Sequence, residues 1–144
     1  YKRLHIVGSN TSDQNYFKNK ISDDNMIIYG HVDHLKLNTI INLCHVYVLP
    51  SIEDGFATTI LQVASAGCPV IVTENTGGGD FVRRSNCGFV VPIRGVESIV
   101  DKLTLLADNK ILLNQLSENA KNYSLVNNWE KYFNKLETII EQIN

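Results

Sequence analysis

The chain has 144 residues, 44% of them hydrophobic, and a mean hydropathy of −0.07, which suits one ordinary globular domain with a real core. No apolar run approaches the roughly 20 residues of a membrane-spanning helix, and a formal net charge of −2 offers no basic patch for nucleic acid. Cys44, Cys68 and Cys87 are odd in number and lack C-x-x-C spacing, so buried reduced thiols of a cytosolic protein are expected, not a disulfide frame or a metal site.

The chain opens on Tyr1-Lys2-Arg3, without an initiator Met or a signal peptide, so it is expected to be a piece of a larger protein. Leu4 to Gly8 reads as a buried strand closed by glycine. Met26 to Gly30, Val46 to Leu49, Pro69 to Thr73 and Gly88 to Val91 repeat the form, β-branched and apolar on both faces as buried parallel strands are. Between them, residues 33 to 43 place Leu35, Ile40, Ile41 and Leu43 near helical spacing, with Asp33 as the N-cap. Residues 57 to 66 form a further helix, ended by Gly67. The alternating order predicts the α/β class, a Rossmann-like doubly wound parallel sheet, with residues 1–144 as one domain.

After Pro92 the strands stop. Ile99, Val100, Leu103, Leu105 and Leu106 predict one helix, and Ile111, Leu112, Leu116 and Ala120 a second. Val126, Trp129, Tyr132, Phe133, Leu136, Ile139, Ile140 and Ile143 then recur at helical spacing. That stripe is expected to pack on this domain, with Trp129 and Tyr132 in its core; docking on a missing domain is the alternative.

The stretch from Pro50 to Asp80 carries the chemistry. A strand ends at Pro50-Ser51, Glu53, Asp54 and Gly55 make a tight acidic turn, and Thr58-Thr59 opens a helix. Ligands of open α/β sheets bind at such carboxyl ends of strands. The helix start presents free N–H groups and a positive dipole end, which suits a diphosphate. Gly55 lets a ligand approach the backbone, and the Thr58 and Thr59 hydroxyls could donate. Gln62 falls one turn later on the same face, within reach of a ribose hydroxyl. Asp54 would then face the group beyond the phosphates; a capped turn explains the same spacing equally well.

These residues resemble the C-terminal domain of family-4 glycosyltransferases of the GT-B fold. The family pattern P-S-x-x-E-G-F-G, L-E-A-x-A-x-G-x-P-V-I and a Gly-Gly loop meets Pro50-Ser51-Ile52-Glu53-Asp54-Gly55-Phe56-Ala57, then Leu61-Gln62-Val63-Ala64-Ser65-Ala66-Gly67-Cys68-Pro69-Val70-Ile71, then Gly77-Gly78-Gly79-Asp80. The likeness runs over nearly the whole chain. It implies retaining transfer from a UDP- or GDP-linked sugar to a hydroxyl acceptor, in polysaccharide, lipopolysaccharide or glycolipid synthesis, with no metal and no other cofactor. Asp54, with Glu53 beside it as a substitute, becomes the candidate catalytic carboxylate. Gly55, Phe56, Ala57, Thr58 and Thr59 would hold the sugar and the distal phosphate, and Gln62 the ribose.

In the family both acidic positions are glutamates separated by seven residues; here they are Asp54 and Gln62, and Ala57 replaces a glycine. Some members with the loop found at Glu74 to Gly78 use glutamine at the second position, so Gln62 reads as a subfamily trait. The family's basic pair for the diphosphate and its acceptor-binding N-terminal domain lie upstream of this chain. The chain alone is therefore expected to be inactive, and its parent to work in the cytoplasm or peripherally at the inner membrane face. A non-catalytic nucleotide-sugar-binding or assembly module is the alternative.

Other residues are read more plainly. His31, after a strand, either lines the wall facing base or sugar or caps a loop. His34 and His45 are expected at the surface or in packing, and His5, within a strand, is expected to pack. The Glu74 to Asp80 loop either approaches a ligand or is simply tight, and Asp80 begins a helix.

Overall fold

Residues 3–8, 25–127 and 129–143 are described by a computed structural model, the Trp129 side chain excepted. The chain divides into two units, one reaching Cys44 and the other beginning at His45. In the first, β1 (Leu4–Val7) pairs in parallel with β2 (Met26–Gly30), Leu4 opposite Met26 and Ile6 opposite Ile28. Gly30 ends β2 with φ 70°, a left-handed turn that glycine makes without strain. The expected packing of His5 is found: its ring stacks on Tyr29, and its Nδ1 lies 2.9 Å from the Tyr29 hydroxyl.

Helix α1 (His34–Ile41) starts where Asp33 accepts a hydrogen bond from the Lys36 N–H at 2.8 Å, so the predicted cap is present. Only part of its predicted apolar face is buried. Ile40 and Ile41 lie inside, whereas Leu35 is 81% and Leu43 62% exposed. Leu35 precedes the buried pair by five and six residues, which turns it to another face, and Leu43 falls after the helix has ended.

In the second unit, β3 (Tyr47–Leu49), β4 (Val70–Thr73) and β5 (Gly88–Val91) form a parallel sheet in that order. Tyr47 lies opposite Val70, and Val72 opposite both Leu49 and Val90. The central strand is buried along its length, as its unbroken β-branched run requires. Pro69 has no N–H for the ladder and stands just before β4, where its carbonyl accepts from the Tyr47 N–H at 2.8 Å.

Helices α2 (Thr59–Ser65), α3 (Gly78–Ser85), α4 (Val96–Asp108) and α5 (Lys110–Val126) complete this core. Helix α2, with Ile60, Val63 and Ala64 buried, packs on α5, whose Leu116 and Ala120 are buried; α3, with Phe81 and Val82 buried, packs on β4 and β5. Cys68 and Cys87 are buried and reduced, while Cys44, in the first unit, is only half-buried. All described strand pairings are parallel, and a helix follows each of β2 to β5, as the predicted α/β order demands.

The C-terminal stripe departs from expectation. On α6 (Trp129–Ile143), Tyr132, Phe133, Leu136, Ile139, Ile140 and Ile143 are exposed, as is Val126 at the end of α5. Tyr132, 57% exposed, is not a core residue, and the Trp129 side chain lies outside the described residues. Helical periodicity defines an apolar face but not the surface that covers it.

Candidate functional site

The acidic turn and the glycine loop follow neighbouring parallel strands, β3 and β4, and are joined backbone to backbone. Asp54 bridges in parallel to Thr76. The Asp54 N–H donates to the Asn75 carbonyl at 3.4 Å, and the Gly77 N–H is shared between the carbonyls of Asp54 (3.1 Å) and Gly55 (3.0 Å). Two hydroxyls brace the pair from below: Thr73 donates to the Ser51 carbonyl, and Thr76 to the Thr73 carbonyl at 2.8 Å. A Cβ at Gly77 would lie 1.9 Å from the Gly55 oxygen, so only glycine permits this approach. Tightness therefore accounts for Gly77 without a ligand. By contrast, a Cβ at Gly55 would meet nothing within 4 Å.

Beyond Gly55 the chain turns into α2. Thr58 has helical dihedrals, its side chain makes no capping bond, and the first turn is tight, with the Ile60 N–H bonded to the Ala57 carbonyl at 2.9 Å. The amides of Phe56, Ala57, Thr58 and Thr59 find no acceptor among the described residues. Phe56 and Thr58 are exposed, Ala57 and Thr59 half-buried. Four adjacent donors with this freedom can take an anion. Phe56 leans edge-on towards Phe81, ring centroids 6.4 Å apart, and Phe81 in turn meets Tyr123 at 5.2 Å. An aromatic ladder thus fixes the turn's apolar side.

The carboxylates differ in setting: Asp54 is half-buried and Glu53 exposed. Because Asp54 enters the clasp through its main chain, its side chain has no part in those bonds. Gln62, half-buried, follows Thr58 by one helical turn. Residues Glu53 to Thr59 and Gln62 are thus brought together in the second unit. His31 lies in the exposed bend after β2, in the first unit; His34 and His45 are also exposed. Asp80 lies in the first turn of α3, exposed and paired with Arg83 at 3.1 Å, a surface pair of small energetic weight.

One expectation changes in detail, and one residue is added. The Thr58 and Thr59 hydroxyls are not equivalent: Thr59 Oγ1 lies 2.9 Å from the Tyr47 hydroxyl. Tyr47 opens β3, and burial pushes its phenol above the ordinary tyrosine range, against the effect of the Thr59 hydrogen bond and with a further push from the Asp54 charge. The sequence does carry a signal for it. Tyr47 is the one residue of the apolar β3 run with a polar tip, and such a tip takes a partner when buried.

Parallel strands with an open turn at their carboxyl ends place the chain in the α/β class, whose ligands bind at such strand ends. The chain belongs to the family described as glycosyl transferases group 1, whose profile matches residues 2–123. It is 32% identical over 83 residues to the UDP-Gal:alpha-D-GlcNAc-diphosphoundecaprenol alpha-1,3-galactosyltransferase of Escherichia coli, a match covering 58% of this chain and 21% of that protein. Its fold is similar to that of sucrose-phosphate synthase from Thermosynechococcus elongatus, with a TM-score of 0.84 and 19% identity over 98% of this chain and 38% of that one. It is also similar to the C-terminal domain of a glycosyl transferase group 1 family protein, LpcC, from Francisella tularensis, with a TM-score of 0.70 and 19% identity over 82% of this chain and 65% of that one. The fold is that of the C-terminal domain of GT-B glycosyltransferases. The chain spans only about a fifth of its galactosyltransferase relative.

Proposed function

We propose that this chain is the donor-binding half of a retaining, family-4 glycosyltransferase. Its parent moves a sugar from a UDP- or GDP-sugar to a hydroxyl acceptor in surface-polysaccharide or glycolipid synthesis. The observation that carries the reading is the open turn from Asp54 to Thr59. It offers four amides without described acceptors beside a half-buried carboxylate and a glycine with free space over it. The amides and the Thr58 hydroxyl receive the distal phosphate. Asp54 accepts hydrogen bonds from the sugar hydroxyls and orients the anomeric carbon, with Glu53 at the rim. Gln62 bonds the ribose diol.

No group in this set is placed as a covalent nucleophile, and the reading asks no metal ligand of it. Departure of the diphosphate needs positive charge in the transition state, which the reading assigns to the family's upstream basic pair, in a cytoplasmic parent at the inner membrane face. The chain alone is then inactive. Support for the donor class comes from the E. coli relative, whose name specifies UDP-Gal.

Asp54→Ala tests the reading in the full-length protein. The clasp to Thr76 and Gly77 uses the Asp54 main chain, so stability should change by less than about 0.5 kcal/mol. Loss of charged hydrogen bonds to the sugar should lower kcat/KM by about 10- to 100-fold. Unchanged turnover with UDP- and GDP-sugars alike would remove Asp54 from the site. A wild-type protein that binds both donors but transfers neither would favour a binding module.

A further inference from the structure

We propose that Tyr47 is a positioning residue of the donor site: its hydroxyl, 2.9 Å from Thr59 Oγ1, occupies the acceptor side of Thr59 and leaves the Thr59 proton for the distal phosphate. The inference rests on the donor reading above, and it extends that reading to a residue outside the acidic turn.

Two hydroxyls in contact can order themselves either way, since each has one proton and two lone pairs. An anion removes the choice. Phosphate oxygens only accept, so Thr59 must give its proton to the ligand, and Tyr47 must then give its own to Thr59. The result is a chain from phenol to threonine to phosphate, in which each bond polarises the next.

Without the phenol, Thr59 has a different resting place. A helical threonine ordinarily turns its hydroxyl onto the carbonyl three or four residues back, here Phe56 or Gly55. The Gly55 carbonyl already receives the Gly77 N–H that clasps the acidic turn. Tyr47 thus keeps the Thr59 hydroxyl available and off the clasp.

The test is a double-mutant cycle in the full-length protein, read by calorimetry with UDP and UMP, or with GDP and GMP if guanine nucleotides bind. Tyr47→Phe keeps the ring and removes the hydroxyl; it should weaken diphosphate binding about fivefold, the scale of one net hydrogen bond, and leave the monophosphate unchanged. Thr59→Val should do at least as much, Thr59→Ser should restore binding, and Tyr47→Phe should add nothing in the Thr59→Val background. Equal losses for mono- and diphosphate, additive losses, or no loss in Tyr47→Phe would each overturn the positioning role. A wild-type protein that binds no nucleotide at all would instead overturn the donor reading, and that result is visible before any variant is made.

Discussion

Gly77→Ala puts the clasp between the two loops to a direct test. The added Cβ would sit 1.9 Å from the Gly55 carbonyl oxygen, 3.1 Å from its carbon and 3.4 Å from the Phe56 Cβ. An unstrained carbon–oxygen contact needs about 3.3 Å, so the loops must part by about 1.4 Å. The shared Gly77 N–H bonds to Asp54 and Gly55, now 3.1 and 3.0 Å, would then open beyond bonding range. Their loss costs about 1 kcal/mol and residual crowding about 1–3 kcal/mol, a total of about 2–4 kcal/mol in urea unfolding. Function should suffer more than stability, because an ångström of misplacement at a reacting centre can cost on the order of 100-fold. The backbone itself gives no reason for harm. Gly77 has φ −58° and ψ −17°, helical values that alanine prefers. Gly55→Ala is the matched control: its Cβ meets nothing in the protein, so folding should be unaffected while donor KM rises. Urea titration with initial-rate assays of both variants decides the matter. Turnover within twofold of wild type in Gly77→Ala, at wild-type stability, would refute the clasp.

Gln62→Ala should weaken UDP or GDP binding by about 1–2 kcal/mol for lost ribose hydrogen bonds; calorimetry showing full affinity would remove its ribose role. Stability should fall in alkali. Burial raises the pKa of Cys44, Cys87 and Tyr47 above their ordinary values. Each therefore stabilises the fold fully below its unfolded pKa, and that contribution is lost as pH rises through its folded pKa. The urea midpoint, measured in reductant, should drop from about pH 8.5, where unfolded thiols begin to ionise. Cys87→Ala should flatten the drop, and a midpoint that holds or rises to pH 10 would contradict the assignment.

How much was legible depended on the range of the physics involved. The strand runs from Leu4 to Val91 announce themselves as short unbroken apolar stretches, although only β4 is buried along its length and the expected burial of β1 fails at Leu4 and Val7, which are exposed. Asp33 is legible because capping is local. The acidic turn falls at a strand's carboxyl end for the same reason of order. What escaped was every relation between segments distant in sequence. Gly77 looks like one glycine of three, and only its approach to Gly55 shows that it cannot be replaced. Tyr47 and Thr59 pair across a strand and a helix that periodicity treats separately. The α6 stripe fails in the opposite sense. Its pattern is read correctly, but a pattern cannot name its covering surface, and those of its residues with described side chains stay exposed.

Charge explains why the site, on the proposed reading, is only half of a catalytic centre. A nucleoside diphosphate would bring its negative charge to a turn that already holds Glu53 and Asp54, and no cation stands between Pro50 and Thr59. Among the described residues nearby on α3, Arg83 pairs with Asp80. Two unit charges at 4 Å repel by about 1 kcal/mol even in water and by more where water is excluded, so neutral amides can hold a diphosphate but cannot neutralise it. The same carboxylates are what a neutral sugar needs, since they accept from its hydroxyls without forming a competing ion pair. On the proposed reading, the cations that neutralise the diphosphate must come from outside the turn itself, since residues 50–59 hold none. On that reading donor binding and catalysis separate physically: this unit would orient the sugar, and transfer would need positive charge supplied to the phosphates from elsewhere in the parent.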